Sequence, residues 1–290
     1  MADSELFRLT PDWLKAQNAA ILRGLEVEDH VVPGEYTTAR LVVGRYRGAP
    51  PADVPYLVER LCDWLNGFLA IVGDPARPDD DRFVYAFLTA VLGHLYVAWI
   101  HPFGDGNGRV ARALECAVLA NSGIVPWVAA DLLSNHYNAT RSLYYHRLDQ
   151  ASRLPEGEGV AEFVRYAAEG FVDHLRDQLA QVQSMQRRIA WESFIHEIFR
   201  SQTQGEASRR RRALVLALPE DTPVPPSRMR RLTPELAEAY AGKTQKTVSH
   251  DVNRLKRLGL IVGPADGGYR ANTTLMSAFL PPVRRLADQS

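Results

Sequence analysis

Thirteen consecutive residues, "IHPFGDGNGRVAR" (100–112), hold a histidine, an aspartate, an asparagine, three glycines and two arginines. His101 is the residue type that takes a hydroxyl proton near neutral pH. Asp105 is a hard oxygen donor of the kind that holds Mg2+ beside phosphate oxygens. Gly104, Gly106 and Gly108 let a backbone approach a phosphate with no Cβ in the way. A helix opening at Gly106, Asn107, Gly108 and Arg109 leaves its first N–H groups unpaired, and these, with the helix dipole, attract an anion. Arg109 and Arg112 are three apart, hence on one helix face, and guanidinium groups grip phosphate oxygens in pairs. Phe103 is counted with the nucleotide-binding residues of this stretch, as the apolar residue that would anchor the loop in the core. A capped turn needs a glycine, not this combination. Base, metal carboxylate, anion cradle and two arginines together specify phosphoryl or nucleotidyl transfer.

The elements that must carry these residues are mostly helical. Residues 82–100, before the motif, are apolar nearly all round and are predicted as a buried core helix. After it, "GRVARALECAVLANSG" keeps helical spacing from about Asn107. Helices are also predicted over residues 9–26, over "VPYLVERLCDWLNGFLAIV" from Val54, and through most of 131–200. Residues 31–51 differ: Pro33-Gly34, β-branched residues and the patch Leu41-Val42-Val43 predict a short β-hairpin or flap.

Near Gly205 the character changes again. Residues 205–290 carry 15 Lys and Arg against 8 Asp and Glu, a net of +7, which leaves −7 for residues 1–204 in a chain of net charge zero. A basic end on an acidic body is a clue to a partner. "LTPELAEAYAGKTQKTVSHDVNRLKRLGLI" has the rhythm of a helix-turn-helix, and "VGPADGGYRANTT" reads as a two-stranded wing turning at Asp266, Gly267 and Gly268. Val248, Val252, Leu255 and Leu258 form one apolar stripe on the second helix. Gln245, Lys246, Ser249, His250 and Asn253 fall mainly off it and are types that read grooves or touch phosphates. Arg209 to Arg212, with Arg228, Arg230 and Arg231, add phosphate-binding capacity. The predicted organisation is an N-terminal helix and flap (1–53), a helical catalytic core (54–204) and a small winged helix-turn-helix (205–290), mainly α throughout.

Composition, with 46% hydrophobic and 23% charged residues, is that of a globular domain. The N-terminal stretch has no apolar core of a Sec-type signal, and no apolar run reaches the ~20 residues of a membrane helix. Cys62 and Cys116 have neither metal-ligand spacing nor the number of a disulfide framework, so they read as buried thiols in a reducing cytoplasm.

"HPFGDGNGR" followed by "VAR" resembles the Fic family signature, H-x-F-x-[D/E]-G-N-G-R-x-x-R, without departure. "PGEYTTARLVVG" and "PPADVPYLVERLCDWL" are similar to the family's flap and first core helix, and "LSNHYNATRSLYYHRL" to the helix after the motif, so the likeness covers residues 19–174. The resemblance implies a helical bundle that transfers AMP from ATP to a Ser, Thr or Tyr hydroxyl of a target protein and releases pyrophosphate. In that reading His101 is the general base and Asp105 holds Mg2+. Gly106, Asn107 and Gly108 form the anion hole, and Arg109 and Arg112 hold the phosphate tail. The flap at Thr38, Ala39, Arg40, Leu41 and Val42 clamps the target as an added strand. The family's Doc branch transfers phosphate and has a lysine in the glycine stretch. This chain has none there, which favours nucleotidyl transfer. Tyr144 and Tyr145 are candidates for the adenine wall. His94, at a common family position, reads as a packing or hydrogen-bonding residue.

Many family members carry an inhibitory Glu that pairs with the second motif arginine, here Arg112. Glu197 in "SFIHEI" is one candidate. Glu156 in "SRLPEG" fits the letters, but Pro155 makes that segment a turn. The alternatives for regulation are an antitoxin-like partner or no inhibition. The partners expected are a hydroxyl-bearing target protein, DNA at the winged helix and a second copy of the chain, with no membrane. The competing function is a DNA-binding regulator whose Fic domain senses nucleotide or a partner.

Overall fold

The computed structural model describes residues 7–276 apart from 44, 45, 155, 156, 202–204 and 266. Residues 277–290, Asp266 of the expected wing turn and Glu156 therefore lie outside the described residues. The chain divides into two compact units, Met1–Gln178 and Leu179–Ser290.

In the first unit α1 (Pro11–Leu22) opens where Thr10 accepts the Trp13 N–H at 3.1 Å and Pro11 takes the first helical position. The flap is a hairpin of β1 (Val42–Val43) and β2 (Tyr46–Arg47), antiparallel, with Val42 opposite Arg47. α2 (Val54–Val72) buries Val58, Leu61, Cys62, Leu65 and Leu69, the helical stripe its sequence shows. α3 (Asp79–Ile100) begins with three aspartates, which suit the positive end of a helix dipole. It packs against α2 and against α4 (Asn107–Asn121). The α3–α4 approach is close at Gly93, where a Cβ would lie 2.5 Å from Leu114 Cδ2. The segment after α4 is two helices, α5 (Leu132–Ala139) and α6 (Arg141–Arg153), broken at Thr140, whose hydroxyl bonds the His136 carbonyl at 2.7 Å. α7 (Glu158–Arg200) follows. Leu65, Leu95, Leu114 and Leu133 are fully buried, each contributing about 2 kcal/mol by burial.

α3 corrects one sequence expectation. By length and composition it is apolar enough to cross a membrane, but more than half of its apolar stretch is buried inside the protein. A helix packed on several sides in a core has the same composition as one facing lipid.

In the second unit the core joins Trp191, Ile195 and Phe199 of α7 to α8 (Glu206–Ala217), α9 (Pro226–Met229), α10 (Pro234–Ala239) and α11 (Gln245–Arg257). β3 (Ile261–Ala265) and β4 (Gly268–Ala271) pair antiparallel behind α11 in sequence. Thr233 caps α10 by accepting the Leu236 N–H, with Pro234 at the first position. Asp251 of α11, 1% exposed, takes Arg210 Nε at 2.7 Å, Arg211 Nε at 3.4 Å and the Tyr240 hydroxyl at 3.1 Å. Two of the seven arginines expected at phosphates thus hold an internal carboxylate.

Candidate active site

α3 ends at His101 in a left-handed turn, φ 53° and ψ 57°. Among the described residues it is the one non-glycine residue with positive φ. That conformation costs roughly 1–2 kcal/mol and persists where the surroundings impose it. They do so here. The His101 N–H bonds the Val97 carbonyl at 3.0 Å, Ala49 N–H bonds the Ile100 carbonyl at 3.1 Å, and Thr37 N–H bonds the Pro102 carbonyl at 2.8 Å. Tyr36 and Phe103 form an antiparallel bridge. The backbone on either side of the flap is therefore stitched to the two sides of the histidine.

The ring is fixed as well. His101 Nδ1 lies 3.2 Å from the Ala98 carbonyl, so Nδ1 carries the proton and Nε2 keeps its lone pair. Burial lowers the imidazole pKa below its ordinary value, opposed by the Ala98 contact and the charge of Asp105. At neutral pH the ring is a base, not an acid.

The loop that follows closes on itself. Asn107 is buried, and its side chain both accepts the Phe103 N–H at 2.9 Å and donates to the Phe103 carbonyl at 2.6 Å. Gly106 takes φ +82° before α4, and its carbonyl accepts from Arg109 and Val110. Asn107 and Gly108 thus present their N–H groups at the start of α4 with no backbone partner among the described residues. Asn18 of α1, fully buried, clamps the loop from behind: it donates to the Asp105 carbonyl at 2.9 Å and accepts the Gly34 N–H at 2.9 Å. Asp105 is half exposed, with Oδ1 taking the Gly106 N–H and Oδ2 lying 3.2 Å from Arg109 Nη2.

These residues face a cavity of about 920 Å3, at the upper end of the size range of small-molecule sites. Its wall brings together His101, Gly104 to Arg109, Arg112, Tyr144 and Tyr145, and adds Ala98, Trp99, Arg141, His146, Leu148 and Asp149. Among the described residues Arg112 has no carboxylate partner. Burial holds the Tyr144 phenol well above its ordinary pKa, with the nearby Glu115 charge adding to the shift and Arg112 opposing it. Tyr145 is half exposed beneath the Arg141 guanidinium.

Other expected residues lie elsewhere. Phe103 is 1% exposed, tilted against Tyr36 in the core, and does not reach the cavity. Thr38, Ala39, Arg40 and Leu41 lead into β1, which Val42 opens, and none of them lines the cavity. Glu197 lies in the second unit, where its carboxylate pairs with Arg200 at 2.6 Å. Gln245, Lys246, Ser249, His250 and Asn253 are all exposed on α11, while Val248, Val252 and Leu255 are buried.

Asn18, Glu115 and Arg141 were not singled out from the sequence. A signal existed for two of them. Asn18 falls on the buried stripe Leu14–Asn18–Leu22, and Glu115 on the stripe Ala111–Leu114–Glu115–Val118. A polar residue at an apolar position of a helical repeat marks a buried hydrogen bond.

Comparison with known proteins finds the following similarities. The protein adenylyltransferase Fic of Drosophila willistoni is 30% identical over 171 residues, covering 54% of this chain and 30% of that protein. The protein adenylyltransferase fic-1 of Caenorhabditis elegans is 31% identical over 140 residues, covering 48% of this chain and 23% of that protein. This chain thus spans less than a third of the length of the curated relatives it matches. A solved structure of a Fic domain containing signaling protein from Bacteroides thetaiotaomicron aligns with a TM-score of 0.44 and 23% identity, over 58% of this chain and 61% of that one. The model of the Fic/DOC family matches residues 8–119, from α1 through the motif into α4, and over those residues the chain carries a Fic/DOC family domain.

Proposed function

We propose that this chain is a protein adenylyltransferase that moves AMP from ATP to a Ser, Thr or Tyr hydroxyl of a target protein. The observation that carries the reading is His101, locked left-handed with Nε2 free, beside the glycine-rich start of α4 and two arginines on one cavity wall. The target hydroxyl gives its proton to His101 Nε2 as its oxygen bonds the α-phosphorus. The bond from that phosphorus to the oxygen bridging to the β-phosphate breaks, and pyrophosphate leaves. The N–H groups of Asn107 and Gly108 face the α- and β-phosphates, and Arg109 and Arg112 hold the tail. Asn107 acts through its backbone, because its side chain is spent on Phe103.

The donor set fits Mg2+. One half-exposed carboxylate, Asp105, stands beside an anion cradle, and Mg2+ pairs one or two carboxylates with phosphate oxygens. When bound, the ion supplies charge neutralisation for the phosphates. With the ion on Asp105, Arg109, which lies 3.2 Å from that carboxylate, would be available to the phosphates. Tyr144 and Tyr145 stand where an adenine ring would stack. The flap residues Thr38 to Val42 would receive a target strand, a reading supported by the backbone hydrogen bonds that Thr37 and Ala49, on either side of the flap, make next to His101. Arg112, which has no carboxylate partner among the described residues, calls for an acidic side chain in the off state, which an antitoxin-like partner would supply.

Incubation with ATP labelled at its α-phosphate, Mg2+ and cell lysate is expected to label the chain itself or a lysate protein. His101→Ala should abolish that label while leaving the circular dichroism unchanged. Equal labelling by both proteins rejects His101 as the base.

A second reading concerns residues 205–290. The exposed polar row on α11, its buried apolar row, the hairpin after it and the net charge of +7 support a winged helix-turn-helix that contacts DNA. In the regulator alternative that contact is the main activity and the Fic domain is the sensor. An intact His101 favours the enzyme.

A further inference from the structure

Four helices of the first unit each contribute one side chain to a buried polar chain that ends on the cavity wall. Tyr137 of α5 donates its hydroxyl to Glu115 Oε1 of α4 at 2.9 Å. Glu115 Oε2 lies 2.9 Å from His94 Nδ1 of α3. His94 Nε2 lies 2.7 Å from the Tyr144 hydroxyl of α6. His94, Glu115 and Tyr137 are at most 1% exposed. The middle contact is at ion-pair distance but off the line of a good hydrogen bond, and neither atom has another hydrogen-bond partner among the described residues. Tyr137 and Tyr144 stack at 4.9 Å, which ties the two ends of the chain to each other.

The direction of the bonds follows from the groups. A carboxylate only accepts, so the proton between Glu115 and His94 belongs to Nδ1. With the ring neutral the second nitrogen accepts from Tyr144, and with the ring protonated it donates to the Tyr144 oxygen; either bond fixes the same hydroxyl. The chain therefore pins the Tyr144 ring by its far end. That ring stands between two spaces. Behind the main cavity lies a second, polar chamber of about 430 Å3, lined by Ser134, Asn135, Tyr137 and Asn138, and both spaces share Arg112, Arg141, Tyr144 and Tyr145. Without the hydroxyl contact the ring keeps its packing against Tyr137 and Phe163 but loses the bond that fixes its far end between the two spaces.

We propose that Glu115 and His94 are positioning residues for the nucleotide: acting through the Tyr144 hydroxyl, they hold Tyr144 as the partition that sets the depth of the nucleotide site. The proposal rests on the nucleotide reading of the cavity. It gives His94 and Glu115 a role beyond packing, because an apolar pair would fill the same space without fixing a hydroxyl.

The test titrates the full chain with a fluorescent ATP analogue in the presence of Mg2+, and measures KM and kcat of the labelling reaction. Tyr144→Phe keeps the ring and removes only the pinned oxygen. It should weaken nucleotide binding roughly five- to tenfold, the size of one lost hydrogen bond, with the loss falling on KM rather than kcat. Glu115→Met breaks the chain at its centre and should weaken binding by a similar factor, whereas Glu115→Gln, which still accepts, should restore most of it. Adding Glu115→Met to Tyr144→Phe should weaken binding no further, because both act through one hydroxyl. Wild-type affinity in Tyr144→Phe overturns the proposal even if Glu115→Met fails to fold. So does a Glu115→Met effect of equal size with and without the Tyr144 hydroxyl. A wild-type chain that binds no ATP overturns the nucleotide reading together with this one, while tight wild-type binding with an indifferent Tyr144→Phe overturns this one alone.

Discussion

His101 shows how much of a residue's chemistry its backbone decides. A histidine in a regular helix end would point its ring along the helix. Here the left-handed turn and the Ala98 carbonyl set both the direction and the tautomer. The lowered pKa has a direct kinetic consequence. For the base proposed here the working form is the neutral ring, and burial keeps that ring neutral to a lower pH than a free imidazole. Activity should therefore hold through the ordinary histidine range and fall only as the pH drops below it. The acid limb of kcat/KM, measured with a saturating second substrate and a buffer series, checks this. A limb at or above the ordinary histidine pKa of about 6.5 contradicts it.

At the scale of elements, the motif loop is held by parts of the chain far from it in sequence. α1 sends Asn18 to the Asp105 carbonyl and the Gly34 N–H, so one amide ties together the helix, the turn before the flap and the loop. Asn18→Ala leaves both backbone groups buried without that partner. It should cost about 2 kcal/mol of stability and lower Tm by roughly 4–8 °C for a unit of this size. It should also weaken ATP binding, because the loop that presents the Asn107 and Gly108 N–H groups loses its clamp. Calorimetry of Asn18→Ala beside the wild type reads the first effect, and nucleotide titration the second. An unchanged Tm shows that the loop holds itself through Asn107 alone.

At the scale of the molecule, the two units carry opposite charge, and the second spends part of its positive charge internally. Arg210 is buried against Asp251, whereas Lys246 is exposed on α11. The two positions should separate stability from DNA contact. Arg210→Ala should destabilise the second unit by about 3 kcal/mol, the lower end for a broken buried pair because Arg211 remains. Lys246→Ala should leave stability within about 0.5 kcal/mol and reduce the steepness of log affinity against log salt by about 0.9 if it meets a phosphate. Gel shifts on the chain's own promoter DNA over a salt series, beside thermal melts, measure both. Absence of any shift at low salt rejects DNA contact for this unit.

The amino-acid sequence by itself determined which residues are candidates for catalysis, because histidine, aspartate, glycines and arginines fall within thirteen consecutive residues. It also determined the helices, since their apolar stripes recur at the helical period, and the hairpin, whose β-branched patch and Pro-Gly break stand out locally. It did not reveal the left-handed histidine, which is imposed by hydrogen bonds from Ala49 and Thr37. Nor did it show that Arg210 turns inward, that Phe103 serves only the core, or that His94, Glu115, Tyr137 and Tyr144 form one chain. Those depend on which helix faces meet, and residues 94, 115, 137 and 144 become neighbours only when α3 to α6 pack together. Local pattern reports a residue's own helix, and only the tertiary structure reports what lies across from it.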